Sequence, residues 1–160
     1  MGFTSYKRAK DLIKEGLVLA HSGHADKAKE IFESSIKVHP TAEGMTYWGW
    51  MEHQLNQSDR AIELCKKAIL LDPDFGNPFN DIGSYLISQG KFDEAIPWLK
   101  RAMKSKNYEF RHFPHINLAH IFIEKKMFMK AMRELDRALN YLPGDPGLVK
   151  KMDELRKEIN

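Results

Sequence analysis

The chain has 160 residues, 25 basic and 22 acidic side chains, a net charge of +3 and 42% hydrophobic content. That size suits one folded domain, and the mixed, nearly balanced charge supplies no broad basic field for nucleic acid. No apolar run approaches the ~18 residues needed to cross a bilayer, so a membrane partner is not expected.

At the amino terminus, Lys7, Arg8, Lys10 and Asp11 interrupt any hydrophobic signal core. Tyr6 occupies the Ser/Thr place of a myristoylation pattern, so none is expected, and the expected compartment is the cytoplasm. Leu12, Leu19, Ile31, Phe32 and Ile36 then follow a helical period, with the turn Ser22-Gly23-His24 between two helices. A second helix pair turns at Asn56-Gln57-Ser58. Its Cys65 cannot form an internal disulfide, and it stands where other pairs carry Phe32, Leu99 and Leu135. A buried structural thiol is therefore expected.

Asn77-Pro78 reads as the cap and first position of a fifth helix. Phe79, Ile82, Leu86, Ile96, Leu99 and Met103 supply the apolar face of the third pair, which turns at Gln89-Gly90-Lys91. With Asp93 as the cap of the sixth helix, Pro97 falls at the end of its first turn and removes one early hydrogen bond. Phe113-Pro114 begins the seventh helix, and Lys125-Lys126-Met127 turns the fourth pair. After Pro143-Gly144-Asp145-Pro146, a last helix over 147–160 carries Leu148, Val149, Met152, Leu155 and Ile159 on one stripe. That stripe either caps the final pair or forms a dimer seam.

One pattern joins these segments: a small residue, a second small residue twelve positions on, and a helix-ending Pro or Asn twelve further. Its copies are Gly16-Ala28-Pro40, Gly49-Ala61-Pro73, Gly83-Ala95-Asn107 and Ala119-Ala131-Pro143. They are offset by 33, 34 and 36 residues (16 to 49, 49 to 83, 83 to 119). A period in this range marks stacked helix pairs, because no single pair can bury its apolar face alone.

The pattern resembles the tetratricopeptide repeat over roughly residues 9–145. Phe79, Ile82-Gly83, Gly90, Phe92, Ala95, Leu99 and Ala102 match best. Trp48-Gly49, Ala61, Ala68 and Asp72-Pro73 match in the second copy, and Leu118-Ala119, Phe128, Ala131, Leu135, Ala138 and Pro143 in the fourth. The stretches 76–83 and 108–115 also resemble a variant found in bacterial tetratricopeptide proteins of unassigned role. Three departures stand out. Glu52 replaces an aromatic and implies looser packing in the second pair, His115 replaces a large apolar residue, and two extra residues fall near Lys106–Arg111. The resemblance implies an all-α, right-handed α-solenoid: four pairs over about 9–41, 42–75, 76–111 and 112–145 plus the terminal capping helix, one domain over 1–160.

The resemblance also implies a concave groove, lined by the first helices of successive pairs, that holds a peptide or partner protein. Groove candidates are Lys10, Ile13, Leu17 and His21 in the first pair, and Thr46, Trp50, His53 and Gln54 in the second. The third and fourth give Asn77, Asn80, Ser84 and Ile87, then Phe113, Ile116, His120 and Glu124. Trp50 could instead pack on the next helix, and Asn77 could serve only as a cap. The family's carboxylate clamp for chaperone tails is not expected, because Ile13, Leu17, Asn80 and Ser84 stand where it needs Lys, Asn and Arg.

Seven histidines raise metal or acid–base chemistry. His112-Phe113-Pro114-His115 lacks the intervening acid of a zinc helix, and His21 and His24 have no third ligand. No phosphate loop or nucleophile elbow is present, and nothing orients Glu52 or His53 as a catalytic pair. No catalytic residue, metal or cofactor is expected. Asn80, Asp81, Arg111, His112, His115 and Asn117 gather where the third and fourth pairs join. They form either a network that orders the longer connection or a binding pocket. A protein-interaction module is the leading expectation, and a homodimer built on the terminal helix is the alternative.

Overall fold

The computed structural model describes residues 2–159, and within them every extended element is an α-helix, with one isolated β-bridge in the connections. In order the helices are α1 (Gly2–His21), α2 (Ala25–Val38), α3 (Ala42–Gln54), α4 (Ser58–Leu71), α5 (Asn77–Ser88), α6 (Phe92–Lys104), α7 (His112–Glu124), α8 (Phe128–Tyr141) and α9 (Pro146–Ile159). Each helix packs on the next in sequence. The result is an all-α solenoid whose first helix begins well upstream of the repeat pattern.

The turns inside the pairs repeat one backbone device. Gly23 (φ +81°), Asn56 (+63°), Gly90 (+72°) and Lys126 (+57°) sit in the left-handed region. The residue after each closes a wide hydrogen bond back to the preceding helix: His24 N to Leu19 O at 2.9 Å, Gln57 N to Glu52 O at 2.8 Å, Lys91 N to Leu86 O at 2.9 Å and Met127 N to Phe122 O at 2.7 Å. These bonds satisfy carbonyls that a helix end otherwise orphans. Glycine enters that region without steric cost, which is why two of the turns carry it.

The small residues lie where paired helices touch. Ala28, Ala61, Ala95 and Ala131 have no exposed surface. A Cβ added to Gly16 would lie 2.6 Å from the Phe32 ring, and one on Gly83 would lie 2.5 Å from Leu99. The small side chains let backbones approach, and the bulky ones opposite fill the space at interior density. Cys65 is fully buried in the Phe32 position, and burial raises its thiol pKa well above the ordinary value, with Asp81 adding a smaller push.

The second pair closes as tightly as the rest, contrary to the expectation from Glu52. A Cβ on Gly49 would meet the Ala61 carbonyl at 3.1 Å. Glu52 is 4% exposed and is neutralised in place, because its Oε1 accepts from Trp48 Nε1 at 2.9 Å and pairs with Lys29 Nζ at 3.1 Å. A buried carboxylate with two partners can substitute for an aromatic.

Two expected helix starts shift. Gly76, not Asn77, precedes α5, so Pro78 falls in its first turn and Asn77 is released from capping. Lys91, not Asp93, precedes α6, so Pro97 lies in the second turn. The Schellman bond at Lys91 starts α6 two residues early, and Pro97 faces solvent, where water can serve the carbonyl it leaves free.

Curvature follows from which helices meet. Cα atoms of α1 and α3, α3 and α5, and α5 and α7 approach within 8 Å, while α2, α4, α6 and α8 make no such approach to one another. The odd-numbered helices therefore lie on the inside of the bend. α9 departs from this: it packs on α8 but stays clear of α7. Leu148 and Leu155 bury against Ala131, Leu135 and Ala138, while Val149 and Ile159 remain 41% and 42% exposed. Asp145 Oδ1 caps α9 by accepting from Leu148 N at 2.9 Å.

Candidate functional site

The inner face carries the groove candidates, but at different depths. Ile13 and Thr46 are buried, and Thr46 Oγ1 donates to Ala42 O at 2.7 Å. Both belong to the core and not to an open lining. Asn80 is also buried, with Oδ1 accepting from Asn117 Nδ2 at 3.0 Å, so it bridges α5 and α7. Ser84 and Ile87 are half-buried, Ile87 packing on the central core cluster. Leu17 is half-buried among the first core cluster, Lys10 pairs with Glu43, and Gln54 is exposed.

Aromatic rings mark the accessible stretches. Trp50 is half-buried against the α1–α3 core and meets His21 edge-on at 5.8 Å. His21 Nδ1 donates to Leu17 O at 2.7 Å, which fixes the ring. His53 stacks on Tyr85 at 4.3 Å and lies 2.9 Å from Ser58 Oγ, and its pKa is lowered by burial. Phe113 is 45% exposed and lies 4.2 Å from the His112 ring.

Ile116, His120 and Glu124 come together in a cleft of about 280 Å³ between α7 and α9, closed by Leu135, Leu148 and Lys151. His120 Nε2 is 3.7 Å from Glu124 Oε1 on the exposed rim. This cleft exists because α9 stays away from α7. Asn77 is elsewhere, in a cavity of about 510 Å³ shared with Glu43, Tyr47, Phe75, Asn107, Tyr108, Glu109 and Phe110. Apart from Asn77, the sequence reading missed these lining residues. The only available signal was the two-residue lengthening before Arg111.

The polar group at the junction divides into separate structural contacts. Arg111 Nη1 donates to Met103 O at 2.8 Å and Nη2 to Ser105 O at 2.9 Å, closing the end of α6. His115 Nδ1 donates to Glu134 Oε2 at 2.7 Å, and Glu134 also takes Arg137 at 2.6 Å. Asn80 and Asn117 pair, and His112 joins the Phe110 and Phe113 rings. Among the described residues, no three His, Cys, Asp or Glu side chains converge as a metal-binding group.

The tetratricopeptide-repeat profile matches residues 49–75 and 78–108. These windows fall on the second and third helix pairs. Both windows are tetratricopeptide repeats. Three solved structures of similar fold set the chain in context. PilF of Pseudomonas aeruginosa is similar with TM-score 0.87 and 21% identity, over 96% of this chain and 70% of that one. PilW, a widely conserved type IV pilus biogenesis factor, gives TM-score 0.83 at 17% identity, over 93% of this chain and 69% of that one. A chain of the APC/C hetero-tetramer Cut9–Hcn1 gives 0.81 at 17% identity, over 94% of this chain and 30% of that one. At such identities the likeness is one of fold. No curated protein sequence matches the chain. Among the described residues no helix is long and apolar enough to cross a membrane.

Proposed function

We propose that all four helix pairs and α9 act as one tetratricopeptide module that holds a partner protein or peptide on its concave face, without catalysing a reaction. The observation that carries this reading is the composition of the inner face. It combines part-open rings (Trp50, His53, Phe113) with side chains that have few or no internal partners (Asn77, Ser84, His120, Glu124). Rings supply contact area at low entropic cost, and free amides and hydroxyls supply hydrogen bonds to an extended backbone. The similar fold of a chain in the Cut9–Hcn1 hetero-tetramer supports an assembly role. A cytoplasmic location belongs to the same proposal and is read by cell fractionation.

The test is affinity capture with the wild-type chain and a Trp50→Ala, Phe113→Ala double variant. Asn80 is unsuitable because its burial ties it to stability. A partner held by wild type and lost by the double variant, whose melt is unchanged, supports the reading. Equal capture by both refutes groove binding. The homodimer alternative would have to use Val149 and Ile159, since Leu148 and Leu155 are turned inward. Sedimentation velocity decides it: a dimer that survives dilution and is lost on Val149→Glu would restore that alternative.

A further inference from the structure

The connection after α6 is longer than its counterparts, and the extra length is folded back. Phe75 and Asn107 form a parallel bridge, in which Gly76 N donates to Asn107 O at 2.9 Å and Asn107 N to Asp74 O at 3.0 Å. Tyr108 then lies directly on Gly76, where a Cβ would stand 2.3 Å from the Tyr108 Cβ. Two successive connections are thereby locked together. The lock carries Tyr108, Glu109 and Phe110 to the start of α3, where Glu43 and Tyr47 wait. The cavity between them measures about 510 Å³.

Its walls have a consistent chemistry. Tyr47, Phe75, Tyr108 and Phe110 present ring surface. Glu43 and Glu109 are its only charged lining residues. Glu43 is shared with Lys10, whereas Glu109 has no ion-pair partner among the described residues. The Asn77 and Asn107 amides line the cavity without side-chain hydrogen bonds among the described residues. A third carboxyl, on Asp81, lies close enough to influence Tyr47, Tyr85 and Tyr108.

Aromatic faces and carboxylates both attract a cation, and side-chain amide oxygens accept from it. An anion would meet repulsion from the unpaired Glu109 and from Glu43, which Lys10 only partly offsets. We infer that this cavity receives a basic side chain, Lys or Arg, from a partner segment lying along the inner face. The inference deepens the proposed function and rests on it. It names what the groove selects: a segment that places a positive residue beside the α3–α5 junction. Because the bridge and the Gly76 contact hold the walls in place, binding needs no ordering of the connection, which favours affinity.

The probe is N-acetyl-L-arginine amide, with the uncharged isostere N-acetyl-L-citrulline amide as its control. Both are titrated into the full chain and read by the amide shifts of Asn77, Asn107, Tyr108, Glu109 and Phe110 in two-dimensional NMR. A single side chain should bind with a Kd of about 1–10 mM. The expected result is saturable shifts from the arginine compound at these residues, binding by citrulline at least ~10-fold weaker, and at least ~5-fold weakening in Glu109→Gln. Equal binding of the two compounds, shifts centred elsewhere, or no saturable shift from the arginine compound overturns the inference. If capture by the groove succeeds while this titration fails, the pocket assignment alone falls. If the titration succeeds while capture is unaffected by Trp50→Ala, Phe113→Ala, the groove reading falls instead.

Discussion

Asp81 holds a carboxyl in a half-buried setting on α5, beside Tyr47, Tyr85, Tyr108 and Cys65. Burial pushes its pKa from 3.8 up to about 7, and a hydrogen bond with Asn80 only partly opposes the rise. Between about pH 4 and pH 7 the folded chain therefore keeps a proton that the unfolded chain releases. Stability drawn from this group falls as pH rises through that window and stays low above it. Full conversion of the shift would give roughly 4 kcal/mol, and partial solvent exposure reduces this to about 1–3 kcal/mol. Asp81→Asn removes the ionisation while keeping the shape. Its melting temperature should exceed wild type by about 2–8 °C at pH 8, with the two curves meeting near pH 4. Parallel curves across that range would show that the carboxyl is solvated and costs nothing.

The connection between α6 and α7 is the element that departs most from the repeat, and Arg111 is its main fastener. Its guanidinium reaches the Met103 and Ser105 carbonyls at the negative end of α6, where a cation is favoured. Arg111→Ala leaves those carbonyls to water and should cost about 2–3 kcal/mol, or about 4–10 °C in the melt. Capture through Trp50 and Phe113 should survive in folded protein, and an unchanged melt would remove Arg111 from the role of fastener. The four helix pairs were legible in the sequence because Gly, Ala and turn residues recur at a period that sterics enforces. The turn at Lys125-Lys126-Met127 was legible in place, but the left-handed backbone of Lys126 was not, since nothing in its side chain announces it. Helix starts were legible only to within a residue or two: Asn77 and Asp93 are good caps, yet backbone bonds begin their helices earlier. The bridge from Phe75 to Asn107 left no mark, because it joins main chain to main chain across 32 residues and needs no particular side chain. Glu52 misled for a related reason, since its partners Trp48 and Lys29 are set by tertiary contact.

The molecule is a line of neighbouring cores and has no single centre. One cluster joins α1, α2 and α3 through Ile13, Ala28, Phe32 and Met51. Another runs from α4 to α7 through Cys65, Ile82, Leu99 and Leu118, and a third joins α7, α8 and α9 through Ala119, Leu135, Leu148 and Leu155. Stability in such a stack is close to a sum of local terms with nearest-neighbour coupling, so damage at one end should stay near that end. Removing 147–160 tests this directly. Leu148 and Leu155 are 8% and 3% exposed, and burying each contributes about 1.5–3 kcal/mol, so their loss withdraws up to about 3–6 kcal/mol from the third cluster. It also uncovers Leu135 and the α8 face, which should lower solubility. Native-state hydrogen exchange of the truncated chain should show faster exchange through α7 and α8, with α1 to α3 unchanged. Acceleration spread evenly over every helix would mean that the chain behaves as one cooperative unit. An unaltered melt and exchange pattern would mean that α9 is not a cap.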